Sequence, residues 1–149
     1  MSFINKMNAL KIRLQNNQAL TDFCQTNFRR NLSVRRFFKN RAEINASDLP
    51  LIFITRPIIK REFAGNISKK EHSIALYCLL HWPEEDDEGL SKAQDLSIEF
   101  EELIEDAVHL YTGLTGDISM ALTDGDSEND EGMFHPVYAF VMHLIIKDR

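Results

Sequence analysis

The stretch KKEHSIALYCLLHW, residues 69–82, decides how this chain folds. Its residues fall into two alternating sets, which is the two-residue period of a β-strand. One set contains Ile74, Leu76, Cys78, Leu80 and Trp82, and the other contains Ala75, Tyr77, Leu79 and His81. Because both sets are largely apolar and the first residues are charged, we predict a long strand with a buried base and an exposed start.

A second apolar run precedes this strand. LPLIFITRP, residues 49–57, is rich in Ile and Phe and is apolar on both faces, as a central strand is. The next run, IIKREF, and the long strand are predicted to form a hairpin with its tip near Gly65 and Asn66. The charged residues of this hairpin gather toward its tip: Lys60, Arg61, Glu62, Lys69, Lys70 and Glu71. We therefore predict an arm that protrudes from the body of the protein.

Helices are predicted before and after these strands. An apolar stripe at three- and four-residue spacing begins the chain: Phe3, Met7, Leu10 and Leu14. A shorter helix follows, with Thr21 as its N-cap and its end near Asn31. After the acidic turn PEEDDEG, Ser91 and Gln94 match a capping box, and the helix is predicted to stop at Gly113. Its apolar stripe contains Leu96, Phe100, Leu103, Ala107 and Leu110.

Three further strands complete the predicted sheet. They are residues 34–38, the DISMAL run at 117–122, and PVYAFVMHLIIKD at 136–148. The last two are predicted to be joined by a flexible acidic loop, TDGDSENDEGMFH. The chain contains no visible repeat and no Gly/Ser-rich linker, so residues 1–149 are predicted to form one domain. We predict an α+β fold: a mostly antiparallel mixed sheet with a long protruding β-hairpin and two main helices packed on one face.

Charge is distributed unevenly along the chain. The formal net charge of -6 divides into about +9 for residues 1–83, -16 for residues 84–131 and +1 for the remainder. A protein with two oppositely charged sides can dock head to tail with further copies or with a partner. The two charges could equally neutralise each other within one fold, and the sequence leaves both possibilities open.

Familiar motifs of catalysis and ligand binding are missing from the sequence. It contains no GxSxG, CxxC, HExxH, GxxxxGK[ST] or GxGxxG motif. The acidic run Asp124–Gly132 resembles a calcium loop in composition only, because neither register has Gly at position 6 and Glu at position 12. Cys24 and Cys78 are expected to be buried thiols in a reducing compartment. We therefore predict no enzymatic activity, no metal, no cofactor and no membrane association.

The basic stretch FRRNLSVRRFFKNR, residues 28–41, has six Arg or Lys, no acidic residue and three Phe. Basic residues interleaved with aromatics are typical of nucleic-acid surfaces. However, the pI of the chain is near 5.3, and no DNA- or RNA-reading motif frames the stretch. A contact with an acidic protein surface is favoured over specific nucleic-acid binding, and a solvated or internally paired face is the other alternative.

The order of these features resembles a known family. A helix precedes VRRFFKNR (Val34–Arg41), a loop ends in Asp-Leu-Pro (Asp48–Pro50), and the Ile/Phe-rich strand LPLIFITRP follows at once. A charged hairpin then returns as HSIALYCLLHW, followed by an acidic turn, an amphipathic helix and a last strand ending in HLIIKDR. This order is similar to that of the tail-terminator (minor tail protein U-like) proteins of long-tailed bacteriophages and prophages.

The resemblance implies a structural function. Members of the family form a hexameric ring that caps the tail tube, so the expected partners are further copies, the tail-tube protein and head-tail connector proteins. DNA passes through the ring without sequence recognition, and the expected location is the virion tail, or the bacterial cytoplasm during assembly. The candidate assembly interface comprises Arg35, Arg36, Lys39, Arg41, Lys60, Arg61, Lys69 and Lys70. The alternatives are a small metal-dependent enzyme acting on phosphate or nucleic acid through the acidic loops, and a module that binds a host protein.

Overall fold

A computed structural model describes residues 3–36, 46–55, 58–64, 67–83, 86–109, 120–121, 127–129 and 137–147. The described helices are α1 (Phe3–Asn16), α2 (Gln18–Phe28) and α3 (Asp87–His109), with a short 3-10 turn at Ala46–Asp48. The described strands are β1 (Ser33–Arg35), β2 (Leu51–Ile54), β3 (Ile58–Ala64), β4 (Ile67–His81), β5 (Met120–Ala121), β6 (Ser127–Asn129) and β7 (Val137–Lys147).

The described strands form one mixed sheet in the order β1–β2–β4–β7–β5, in which β3 also pairs with β4 and β6 with β7. The β1–β2 pair is parallel and the other pairs are antiparallel. Together with the helices this is the predicted α+β fold with a mostly antiparallel sheet. In the part of the chain that the structure describes, no helix is long and apolar enough to cross a membrane.

Strand β4 organises the sheet, as its alternating sequence predicted. Cys78 lies opposite Ile52 of β2 and Phe140 of β7, and Val34 of β1 lies opposite Ile52. All four side chains in this row are buried. The neighbouring row, Arg35–Phe53–Tyr77–Val141, points to the other face, where Tyr77 is 41% exposed. The two faces of the sheet are therefore unequal: one is covered, and the other is partly open.

The covered face packs against the described helices through aromatic rings. Phe100 of α3 stacks on Phe23 of α2 with ring centroids 5.4 Å apart, and meets Phe140 of β7 edge to face at 5.9 Å. Offset stacking and edge-to-face contacts are the arrangements that aromatic pairs prefer. Met7, Leu10 and Leu14 of the predicted α1 stripe are buried in the same core. This packing fixes the helices on one side of the sheet.

The helical N-terminus differs from the prediction in its boundaries. The predicted long helix and short helix are α1 and α2, so the two main helices, α1 and α3, and the shorter α2 accompany the sheet as predicted. Helix α2 is capped by Asn17, whose side chain accepts a hydrogen bond from the Leu20 backbone N–H, and not by Thr21. Its end is also earlier than predicted, because Arg29 adopts a left-handed conformation with φ of 53°. The Asn17 amide, which interrupts the apolar pattern of the sequence, is therefore the capping group.

The start of α3 also corrects the prediction. Asp86 is the capping residue: its side chain accepts a hydrogen bond from the Gly89 N–H at 2.6 Å, and its carbonyl accepts one from Leu90. Ser91 therefore lies inside the helix, and the predicted capping box with Gln94 is wrong. Acids before a helix are favoured by the positive N-terminal end of its dipole. The predicted end at Gly113 lies outside the described residues.

The acidic segment before the last strand contains more structure than a flexible loop. Residues 127–129 form β6, which pairs with β7 so that Glu128 lies opposite Val141. Of the predicted DISMAL strand, the structure describes Met120 and Ala121 in β5. The strand predicted at 34–38 is described as Ser33–Arg35, and Phe37 and Phe38 lie outside the described residues.

Strands β3 and β4 pair antiparallel from Ile58 opposite Ser73 to Ala64 opposite Ile67. The predicted tip, Gly65 and Asn66, lies outside the described residues. These pairings do not establish that the two strands project from the body of the protein, so the protruding arm stays a prediction.

Candidate assembly interface

The predicted interface residues Arg35 and Arg36 point in different directions. Arg35 donates a hydrogen bond from Nη2 to Asp48 Oδ1 at 3.0 Å and forms a salt bridge there, with the two side chains 39% and 23% exposed. This contact ties β1 to the 3-10 turn at Ala46–Asp48. An intermolecular carboxylate that binds Arg35 must therefore share it with Asp48 or displace it.

Arg36 contacts helix α1 instead. It donates from Nη1 to Asn8 Oδ1 at 2.8 Å, a bond between residues 28 positions apart. Its Nε is buried and has no hydrogen-bond partner among the described residues. The Nη1 end of the guanidinium is therefore held beside the exposed Asn8 of α1, while its Nε end is covered.

The other predicted interface residues lie either on the β3–β4 pair or outside the described residues. Lys60 lies opposite Glu71, Arg61 opposite Lys70, and Lys69 opposite Glu62 in the β3–β4 register. Lys39 and Arg41 lie outside the described residues. Tyr77 of β4 lies in the same row as Arg35. Lys70 is seven residues from Tyr77 along β4, so at 3.3 Å per residue its backbone is about 23 Å from that row. The register thus places Lys60, Arg61, Lys69 and Lys70 on two paired strands, at a distance along β4 from the row of Arg35.

The partly open sheet face lies beside the Arg35–Asp48 pair. Phe53 and Tyr77 lie opposite each other with ring centroids 6.3 Å apart. Leu79, Ala139 and Val141 on this face are half-buried. The alternation in the sequence placed this set in the strand without indicating a function. The signal available was that the second alternating set of β4 is apolar, although a strand covered on one face needs only one such set.

Two helices also expose apolar residues that were not predicted to be functional. Ile4 and Ile12 of α1 are 64% and 57% exposed, and Leu90 and Ile98 of α3 are 41% and 49% exposed. They were overlooked because the core-facing stripes of both helices were already explained without them. Their spacing within each helix, eight residues in both cases, was readable from the sequence.

A small cleft lies where α2 ends near the end of β4. Its volume is about 180 Å³, and its lining includes Phe28, Arg30, Leu49, His81 and Trp82. Phe28 and Trp82 meet edge to face at 6.1 Å. Pockets for drug-sized ligands occupy about 300–1,000 Å³, so this cleft is small for an organic substrate.

The two cysteines are free and buried, as predicted. Burial raises the pKa of the Cys24 thiol to about 12. Burial, and then the negative charge of Glu101, raise the pKa of the Cys78 thiol well above its ordinary value. Since the thiolate is the reactive form, the raised pKa of each thiol disfavours a nucleophilic role. Among the described residues, no group of three or more His, Cys, Asp or Glu is placed to hold a metal ion.

Comparison with known proteins finds this fold in a solved structure. No protein-family model matches the chain, and no curated protein matches it in sequence. Among solved structures, the chain is similar to one in the virion of a native gene transfer agent particle, with a TM-score of 0.56 and 7% sequence identity. The similarity covers 93% of this chain and 90% of that chain. At this identity, the likeness shows a shared fold.

Proposed function

We propose that this chain is a structural protein of a phage or phage-like particle, and specifically that it completes the tail. In this proposal it forms a ring, of six copies by the family resemblance, that caps the tail tube and offers a surface to the head connector. The fold likeness to a virion chain over 93% of the present chain carries the proposal. The order of sequence features that resembles the tail-terminator family supports its finer part.

The charge distribution supports assembly in a ring. Residues 1–83 carry about +9 and residues 84–131 about -16, and we propose that these segments give one copy surfaces of both signs. A head-to-tail contact joins two different surfaces and generates a ring when the rotation closes. Opposite charge on those surfaces raises the encounter rate and fixes the register.

The β3–β4 pair is proposed as the arm that reaches a neighbouring copy or the tube. Four residue pairs, from Arg61 opposite Lys70 to Ala64 opposite Ile67, lie beyond Glu71, which is the β4 residue nearest the tip that pairs with β7 among the described residues. At about 3.3 Å per residue, this part is about 13 Å long. Its Arg and Lys residues, Arg61, Lys69 and Lys70, are three of the four hairpin members of the candidate interface, and the fourth, Lys60, lies opposite Glu71. Arg35, Arg36, Lys39 and Arg41 are proposed as a second contact, on a subunit or on the tube.

The proposed function includes no catalysis. The similar solved chain is a virion component, and burial raises the pKa of both thiols, which disfavours the reactive thiolate. DNA is proposed to pass through the ring lumen and to touch basic side chains only through its phosphates, without sequence recognition. The particle tail is then the final location, and the bacterial cytoplasm is the place of assembly.

Native mass spectrometry tests this proposal. The 17.2 kDa chain is measured at high concentration, alone and with the tail-tube protein of the same genome. We expect a closed oligomer, with six copies the favoured number, in at least one condition. A strict monomer in both conditions, from a protein that is folded by circular dichroism, would contradict the proposed function.

A further inference from the structure

Helices α1 and α3 each expose a short apolar stripe. The α1 stripe is Ile4, Asn8 and Ile12, and the α3 stripe is Leu90, Gln94 and Ile98. Residues four positions apart lie on the same side of a helix, so each set forms one line. In both stripes the two apolar side chains are eight residues apart, about 12 Å at 1.5 Å per residue. The two lines therefore match in length, and each has an amide at its centre.

Neither stripe belongs to the core of a single copy. The buried side of α1 is formed by Met7, Leu10 and Leu14, whereas Ile4 and Ile12 are more than half exposed. The buried side of α3 contains Leu96, Phe100 and Ile104, whereas Leu90 and Ile98 are 41% and 49% exposed. Single exposed apolar residues are ordinary, but two matched pairs at helical spacing are a feature of the surface.

The surroundings of the two stripes have opposite charge. Helix α1 contains no Asp or Glu. Lys6 is buried and Arg13 bonds to the Ala107 carbonyl of α3, but half-buried Lys11 lies next to Ile12, and the Arg36 guanidinium is bonded to Asn8 in the middle of the stripe. Helix α3 contains eight Asp or Glu and one Lys. Glu102 and Glu105 are exposed, and they follow Ile98 by four and seven residues, which places them on the side of the α3 stripe.

We infer that the α1 stripe of one copy docks against the α3 stripe of the next copy. Pairing of α3 with α3, or of α1 with α1, would bring like charges together, whereas α1 against α3 brings Arg36 and Lys11 toward carboxylates. The contact is heterologous, so a pair of copies keeps one free α1 stripe and one free α3 stripe for further neighbours. This inference rests on the proposed function and names the surfaces through which the copies associate.

Two variants and their mixture test the inference. Ile12→Asp adds an acid to the α1 stripe, and Ile98→Lys adds a base to the α3 stripe, so each change repels its proposed partner surface. We expect each variant alone to associate at least ten-fold more weakly than the unchanged chain in sedimentation velocity. Mixed in equal amounts, they should form complexes that contain the two variants in equal number, because the unchanged α3 stripe of one meets the unchanged α1 stripe of the other. Ala19→Asp, at an exposed position of α2, is the matched control and should assemble normally.

The outcomes separate this inference from the proposed function. If both variants assemble like the control, or only one is impaired, or the mixture gives no complex of the two, then the stripes are not the interface and the inference fails. The proposed function would stand in these cases, because the unchanged chain still assembles. If the unchanged chain remains a monomer with and without the tail-tube protein, the proposed function itself fails. Urea unfolding of both variants, with midpoints close to that of the unchanged chain, verifies that they are folded.

Discussion

Leu79 and Leu80 offer a matched test of the two sheet faces, because they are the same residue type at adjacent positions of β4. Leu80 is 1% exposed, lies opposite Tyr138 and belongs to the core beneath the helices. Leu79 is half-buried on the other face, opposite Leu51 and Ala139. Each is replaced with Ala, one at a time. We expect Leu80→Ala to lower the free energy of unfolding much more than Leu79→Ala does.

The magnitudes follow from burial. Leu→Ala at a fully buried site costs about 2.7–5 kcal/mol, because the lost transfer free energy is added to the energy of the cavity. At Leu79 part of the side chain already contacts water and solvent fills much of the space left, so about 1–1.5 kcal/mol is expected from apolar area alone. The expected difference between the two variants is therefore about 2 kcal/mol.

Urea unfolding followed by circular dichroism measures both costs. The slope of the free energy against urea should be the same for the unchanged chain and the two variants, so that the midpoints report stability. For a chain of this size, a loss of about 3 kcal/mol lowers Tm by about 6–12 °C. Equal costs for the two variants, or a cost below about 1 kcal/mol at Leu80, would refute the assignment of the helices to the Leu80 face.

Three further outcomes are expected. Arg35→Gln, which removes the contact with Asp48, should lower stability by no more than about 1 kcal/mol in urea unfolding, because the pair is partly exposed; a loss above about 2 kcal/mol would show that the pair is structurally essential. Lys69→Glu with Lys70→Glu should weaken assembly in native mass spectrometry without changing the urea midpoint of the monomer, and an unchanged oligomer would remove the hairpin from the interface. The pKa of Cys24 is raised from 9.0 to about 12 in the folded chain, so the unfolded chain loses this proton first as the pH rises. The free energy of unfolding should therefore fall between those two pH values. Cys24→Ala should reduce this pH dependence, and an identical dependence in both proteins would argue against the raised pKa.

Much of the sheet could be predicted because its signal is local and repetitive. The alternation from Ile74 to Leu80 records directly that one face is covered by helices, and every second side chain is buried as expected. The stripe of α1 and most of the stripe of α3 were readable for the same reason. In each case the period of the apolar residues and the period of the backbone agree over several repeats.

Helix boundaries were less predictable because several residues competed for each capping position. Asn17 and Thr21 both carry suitable oxygens, and Asp86 is one of several acids before Ser91. The choice depends on backbone geometry at one residue, which a sequence period does not record. Strand β6 was missed because its pairing with β7 is long-range, and its residues Ser127–Asn129 have little strand propensity.

The candidate interface, too, could be predicted from the sequence only in part. Sequence alone could identify basic residues, but it could not show that Arg35 is bonded to Asp48 or that Arg36 is bonded to Asn8. Those contacts join segments that are 13 and 28 residues apart. The Ile4 and Ile12 pair became a candidate only when the structure showed that a different side of α1 faces the core.

Electron microscopy of tail tubes mixed with this protein tests the central claim most directly. Tubes assembled from the tail-tube protein of the same genome are imaged with and without the chain, and their ends and lengths are compared. We expect ring-shaped density of several copies at one end of each tube, together with shorter tubes, because the ring stops further addition. Bare tube ends and unchanged lengths at saturating protein would contradict the account.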